Sequence, residues 1–299
     1  MDYQANFFKQ CGQSRFSMLA DNVKQPFNEY LGLLLNFGII GLLVLLLLMV
    51  IIIYCYRKNP SVEKQIAFYS LSSIGIFSFF SYPFAYPFVW VVTFLSIFII
   101  TSEYIKPLFS NILIKKIACM FILTYSLFGS SKLFERIQAE LDWGKASTLA
   151  LCKSYNETLP TYERLEKMFV SNPYFLYNYA AVLQEMKQYT ESLEVALKCR
   201  QYWADYDLEL IIGENYQQLN KPELAEKYYN SASMMCPSRF LPLYKLFHLY
   251  KTNGEKERSL AMAEAVISKP MKIKTTTIRM MKREMEREIQ KMNMSIKLE

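Results

Sequence analysis

The stretch from Phe37 to Tyr56 decides what this chain can fold into: 20 consecutive residues carry no charged or amide side chain. As a helix rising about 1.5 Å per residue it reaches about 30 Å, the thickness of a bilayer's hydrocarbon core. A helix satisfies its own backbone donors and acceptors, so lipid tolerates such a segment where water does not. Just before it stands a polar edge, Asn28-Glu29-Tyr30, where the chain enters the apolar run.

Further runs follow. Gln65 to Ser102 is uncharged over 38 residues, with Pro83 and Pro87 near its middle in Ser81-Tyr82-Pro83-Phe84-Ala85-Tyr86-Pro87. Proline ends a helix, so this run predicts two helices joined by a proline turn, with Tyr82, Tyr86 and Trp90 as an interfacial aromatic belt. Ser70, Ser72, Ser73 and Ser78 are small residues suited to close helix packing. A fourth run, Ile117 to Ser131, has 15 residues and spans if residues 111–114 join it and the flanking lysines snorkel. The expectation is four transmembrane helices, at about 31–56, 65–83, 86–102 and 112–131, in a membrane domain over 31–135. Residues 1–30 are polar and read as the end of a periplasmic loop, and so as part of a longer protein.

Charge sets the orientation. Arg57, Lys58 and Lys64 fall between the first two runs, Lys106, Lys115 and Lys116 between the last two, and the middle turn has none. The positive-inside rule then places both basic loops in the cytoplasm, and the Asn28-Glu29-Tyr30 edge and the C-terminal part outside. Residues 1–141 carry 11 Lys+Arg and 7 Asp+Glu, against 23 and 20 in residues 142–299, so a soluble part follows the membrane part. The net charge of +7 is spread too thinly for a nucleic-acid partner. Six cysteines without a CxxC pair and a single histidine, His248, point to no metal and no disulfide framework. No cofactor is expected.

From Asp142 the pattern turns amphipathic and repeats. Gly213, Tyr216, Asn220, Ala225, Tyr229, Ala232 and Pro237 follow the tetratricopeptide order of small, aromatic, turn, small, aromatic, small and proline. Adding 34 carries Asn220 to Gly254 and Ala225 to Ser259; subtracting 33 carries Ala225 to Ser192, with a fainter copy around Thr161 to Pro173. Small residues are needed where paired helices cross closely. The expected fold is all-α: the four spans, then an α-solenoid of about four helix pairs over 142–272. A capping helix over 274–293 follows, with Ile278, Met281, Met285 and Ile289 on one face.

The outer edge, Phe27-Asn28-Glu29-Tyr30-Leu31 leading into Asn36-Phe37-Gly38-Ile39-Ile40-Gly41-Leu42, resembles one segment of the O-antigen ligase and polymerase family. There a polar H-N-x-x-L-type motif ends a large periplasmic loop and a YG-x-x-G-L-like helix follows. With the Ser81-Tyr82-Pro83 turn and the appended repeats, the chain is similar to the C-terminal part of Bacteroidetes-type members. The resemblance implies transfer of a glycan from a polyprenyl-diphosphate carrier to an acceptor, in a bacterial inner membrane, without metal or nucleotide sugar. The family's histidine falls on Phe27, so Glu29, with Asn28, is the catalytic candidate. Arg15, Lys24 and Tyr30 are candidates for substrate binding, with Arg15 and Lys24 facing the diphosphate. An interfacial carboxylate at a helix N-terminus and solvated loop cations are the alternative readings of these residues. The fragment alone is expected to be inactive.

A second candidate site is the concave face of the repeats. Asp207, Leu210, Glu214, Gln217 and Gln218 share that face in one unit, and Leu241, Tyr244, His248, Lys251 and Thr252 in the next. They define a possible protein-partner groove, with a merely solvated face as the alternative. The rival to an enzyme is therefore a membrane-anchored repeat scaffold without catalysis.

Overall fold

The structure is a computed structural model that describes residues 1–11, 16–18, 20, 27–104 and 112–296. Among the described residues all regular structure is helical. In chain order the helices are α1 Asp2–Cys11, α2 Glu29–Lys58, α3 Val62–Phe77, α4 Pro87–Thr101, α5 Ile112–Leu151, α6 Tyr155–Leu165, α7 Pro173–Glu185, α8 Tyr189–Tyr202, α9 Tyr206–Gln218, α10 Pro222–Met235, α11 Leu241–Thr252, α12 Lys256–Ser268 and α13 Thr276–Ile296. Short 3-10 turns lie at Pro83–Ala85 and Ser102–Tyr104. The chain divides into two units, residues 23–126 and residues 1–22 with 127–299.

In the first unit α2 carries the long apolar run, and only its Ile52 and Cys55 are buried. Leu35 is 70% exposed and Ile40 72%. Among the described residues two helices are long and apolar enough to cross a membrane, Glu29–Lys58 and Pro87–Tyr104, against the four expected. The second run yields α3 of only 16 residues, with Glu63 in its first turn. The fourth run is not a separate helix but the front of α5, a 40-residue helix that continues to Leu151. Pro83 and Pro87 do separate α3 from α4, as the sequence predicts.

α2 is broken at Gly38, whose φ of 63° and ψ of −162° lie outside the reach of residues with a side chain. Gly41 belongs to the same break: a Cβ there would fall 2.5 Å from the Cβ of Phe37. At the other end of the unit Lys64 is 3% exposed and donates to Glu103 Oε2 at 2.8 Å, an oxygen that also accepts from Asn59 Nδ2 at 2.9 Å. The Tyr104 ring lies 5.6 Å from the same ammonium. A lysine can be buried there because its charge is matched on the spot.

The second unit reports its repeat in the backbone itself. Lys153, Lys187, Asn220 and Gly254 have positive φ and stand 34, 33 and 34 residues apart. Each closes the same turn. The next residue donates to a carbonyl five residues back, Ser154 to Leu149, Gln188 to Leu183, Lys221 to Tyr216 and Glu255 to Tyr250. This is the Schellman arrangement that satisfies the last carbonyls of a helix. The pairs are the tail of α5 with α6, then α7/α8, α9/α10 and α11/α12. Thr158, Ser192, Ala225 and Ser259 are each fully buried, again 34, 33 and 34 residues apart, where the helices of a pair cross. The first pair therefore begins inside α5, where Ala139 and Ala146 are already buried. The faint copy expected around Thr161 to Pro173 lies a few residues earlier, at Lys153 and Thr158.

Between pairs a buried hydrogen-bond chain sets the register: Gln184 Nε2 to Asn215 Oδ1, Asn215 Nδ2 to Ser192 Oγ, and Ser192 Oγ to the Ala180 carbonyl, at 3.0, 2.7 and 2.7 Å. At the far end α13 packs Met285, fully buried, with Ile278, Met281 and Ile289 against Phe240 and Phe247. Lys282 Nζ caps the end of α12 by donating to the Ile267 and Lys269 carbonyls. Residues 2–11, read from sequence as loop, form α1 and pack on α10.

Candidate functional site

The polar edge of the first unit is built around the corner between α3 and α4. Asn28 is the N-cap of α2: its Oδ1 accepts from Leu31 N at 2.8 Å. Its Nδ2 donates to the Phe79 carbonyl at 3.1 Å. Glu29 donates its backbone N–H to the Ser78 carbonyl at 2.9 Å, and its Oε1 accepts from Phe84 N at 3.1 Å. Tyr30 donates its hydroxyl to the Gly75 carbonyl at 2.7 Å, and its ring lies 4.5 Å from that of Phe79. Trp90 Nε1 donates to the Phe84 carbonyl at 2.8 Å.

The three residues singled out by sequence are thus brought together, and each serves a backbone group of the corner that no helix satisfies. Chemically the arrangement is a clamp that fixes the entry of α2 against the corner, with the second carboxylate oxygen of Glu29 as its remaining acceptor. Arg15 and Lys24 lie outside the described residues.

The ten groove residues are distributed unevenly. Leu210 is 7% exposed and packs in the core with Tyr206, Tyr229 and Met235, so it does not line a cleft. Gln217 turns to its own pair and accepts from the Tyr229 hydroxyl at 2.9 Å. Asp207 is exposed at the start of α9, which Asp205 caps. Glu214 is paired with Lys245 of α11 at 2.9 Å. On α11, Leu241 packs into the core cluster and Thr252 bonds back to the His248 carbonyl.

Tyr244, His248 and Lys251 meet α13. The Tyr244 hydroxyl donates to Glu284 Oε2 at 2.9 Å, and Lys251 pairs with Glu288. His248 Nε2 lies 3.4 Å from Glu284 Oε1 without a hydrogen bond. Burial holds the His248 imidazole below its ordinary pKa, Lys251 and Lys245 add to that effect, and Glu284 and Glu288 oppose it. The face of the last pair is therefore occupied by the chain's own α13, because Glu284 and Glu288 stand one helical turn apart opposite its polar side chains.

What stays open is the step between α7 and α9. A cleft of about 210 Å³ is lined there by Gln184, Glu185, Lys187, Tyr189, Glu214 and Gln218. Of the ten sequence candidates only Glu214 and Gln218 line it. Gln184, Glu185 and Lys187 come from α7 and its turn and Tyr189 opens α8, one repeat earlier, and shifting Gln218 back by the repeat length would have found Gln184 and Glu185. Among the described residues no cluster of three or more His, Cys, Asp or Glu has the geometry to hold a metal ion.

No family model matches this chain, and no curated protein matches it. Among solved structures, one titled crystal structure of MamA protein aligns over 44% of this chain and 72% of its own, at 14% identity and a TM-score of 0.41. MamA residues 41 to the end from Desulfovibrio magneticus RS-1 cover 49% of this chain and 76% of their own, at 18% identity and 0.40. YrrB, titled a TPR protein with an unusual peptide-binding site, covers 43% and 66%, at 18% identity and 0.39. These scores lie below one half, so the repeat assignment rests on the helix pairs themselves.

Proposed function

We propose that this chain is a membrane-anchored tetratricopeptide-repeat scaffold that holds a protein partner at the cleft between α7 and α9. The observation that carries the reading is the union in one chain of α2, apolar all round and almost unburied, with a solenoid whose α7–α9 cleft is lined by mixed charges and carboxamides. Water does not sustain a 30-residue exposed apolar helix, and lipid does. Carboxamides and paired opposite charges at a cleft suit an extended peptide, whose backbone offers alternating donors and acceptors. A photo-crosslinking residue at Gln218 should trap one discrete protein in intact membranes, and the same residue at Glu286, on the exposed side of α13, should not. Equal labelling from both positions would remove the cleft from the reading.

The four-span arrangement is part of the same proposal. Ile66, Ile76 and Phe77 on α3, and Phe121, Leu123 and Leu127 on α5, are exposed and apolar and favour lipid around these helices too. Reporters fused after Asn59 and after Ser81 should then report opposite sides, with a fusion at the C-terminus periplasmic. If both internal fusions report the same side, α3 does not cross and the two-span anchor stands.

A second reading, transfer of a polyprenyl-diphosphate-linked glycan, is favoured by the break at Gly38. Non-helical backbone at membrane depth is tolerated where protein or a water-filled cavity covers it, and such breaks often border substrate sites in membrane proteins. Asn28, Glu29 and Tyr30 lie two to three helical turns before it; Glu29 would orient the acceptor hydroxyl and Asn28 a sugar. In the complete protein Glu29→Gln should then lower transfer by about 10²-fold or more at unchanged membrane abundance. Wild-type transfer would leave Glu29 with the clamp alone.

A further inference from the structure

α1 is seated on the second unit like a ligand. Met1, Ala5 and Phe8 recur at helical spacing; Met1 and Ala5 pack against the cluster of Tyr206, Met235 and Cys236, and Phe8 is 5% exposed. Its first-turn carboxylate, Asp2, meets Arg200 of α8 in a two-toothed pair, to Nη2 at 2.6 Å and to Nη1 at 3.1 Å. The same guanidinium holds Glu209, a carboxylate only 1% exposed. Gln4 Nε2 donates at 2.6 Å to the carbonyl of Met235, the last residue of α10, a group no turn of that helix can satisfy.

Two features make this seat reversible. A helix of 10 residues is marginal by itself, so α1 stays helical only while docked. Beside it an open surface groove of about 410 Å³ runs between Ala5, Asn6 and Lys9 of α1 and Lys227, Asn230, Ser231 and Met234 of α10, so water reaches the flank of the seat.

We propose that α10, with Arg200 at the end of α8, forms a docking surface for a short amphipathic helix bearing a carboxylate in its first turn, and that α1 is its resident, displaceable occupant. The surface belongs to the α8 and α10 helices and is separate from the α7–α9 cleft. Arg200 reads the carboxylate, the Met235 carbonyl reads a donor two residues on, and the apolar seat takes side chains spaced by four and three. Glu209 keeps the guanidinium oriented while the seat is empty, so the receptor half is built in advance of its ligand.

The test uses the full chain in detergent and a fluorescent peptide of residues 1–11. The wild-type chain should bind it weakly, because tethered α1 competes. Asp2→Lys in the chain loosens the resident helix and leaves Arg200 intact; it should bind the wild-type peptide at least about fivefold more tightly, the scale of one exposed two-toothed pair. A peptide carrying Asp2→Lys should bind the D2K chain at least about fivefold more weakly than the wild-type peptide does. Asp2 is half-exposed, so the substitution does not threaten the fold. Amide exchange gives an independent reading: residues 2–11 should exchange much faster than α9. Equal affinity of the two peptides for the D2K chain, or α1 amides that exchange only with global unfolding, would overturn the proposal.

Discussion

The two units spend the same kind of residue on opposite ends. In the solenoid Phe175, Leu176, Ala180 and Leu183 are all at 3% exposure or less, and the faces opposite carry the charges. In α2 a longer and more apolar sequence buries only Ile52 and Cys55. Burying apolar surface against other helices is what holds the repeats together in water. α2 has no such seam, and by length and composition it is apolar enough to cross a membrane. Glycine divides the same way. Gly213 is needed because a Cβ there would stand 2.6 Å from Cε1 of Tyr229, and Gly38 because the chain turns at positive φ.

The sharpest way to break this comparison is at Gly213. Tyr229 is fully buried and its hydroxyl is tied to Gln217, so the ring cannot retreat from a new side chain. Gly213→Val is expected to destabilise the solenoid by about 3 kcal/mol or more, the upper range for overpacking. Urea unfolding of the chain in detergent, followed by the fluorescence of Trp143 and Trp203, measures it. Gly144→Ala in α5 is the control: nothing lies within 4 Å of its added Cβ, and it should be neutral or stabilise by about 0.5–1 kcal/mol. Equal effects would mean that the α9–α10 crossing is looser than described.

The next effect is smaller and belongs to the other unit. Gly38→Ala meets open space but an unfavourable backbone, which costs about 1–3 kcal/mol. α2 is expected to relieve this by straightening, which pulls Asn28 and Glu29 off the α3–α4 corner. The variant should insert normally yet lose thermal stability in detergent, and Asn28→Ala should add little to it. Additive losses would show that the break and the clamp are independent.

How much of this was legible depends on whether a side chain or a backbone group carries the feature. Gly213, Asn220 and Ala225 announced their repeat because each turn and crossing demands a particular side chain. The first pair was obscured because its opening helix is the tail of α5, without a turn to mark it, and because its crossing residue is Thr158 rather than alanine. The Asn28-Glu29-Tyr30 edge was visible as an oddity, but not as a clamp. Its partners are the Phe79 carbonyl, the Phe84 amide and the Gly75 carbonyl, 45 to 55 residues away, and backbone groups leave no trace in a sequence. α13 covering Tyr244 and His248 was missed, although Glu284 and Glu288, four apart on its polar face, carried the signal. α1 was taken for a loop because its overall polarity hid the spacing of Met1, Ala5 and Phe8.

The smallest effect compares a buried lysine, Lys64, with a partly buried one, Lys269. Lys64 in the first unit has Glu103 beside it. Lys269 in the second has the Arg239 carbonyl, to which its ammonium donates at 2.7 Å, and the Phe240 ring at 5.5 Å. The neighbouring Lys282 bonds to its backbone carbonyl. Burial without a counter-charge pushes the Lys269 pKa down from 10.5 to about 8. A folded pKa below the unfolded one favours the neutral form on folding. Its contribution is therefore fully present above pH 10.5 and lost as pH falls through about 8. At neutral pH the charged lysine is a cost, partly offset by its hydrogen bond. Lys269→Met removes the titration and keeps the stem. The difference in unfolding free energy, wild type minus variant, should rise by about 1–2 kcal/mol between pH 7 and pH 9.5, less than the full shift implies because the side chain can reach toward water. Tyrosine titration near pH 10 is common to both proteins and cancels. A difference that stays flat across this range would show that Lys269 reaches solvent and keeps an ordinary ammonium, and that burial of a lone lysine is no more costly in the solenoid than at a paired site such as Lys64.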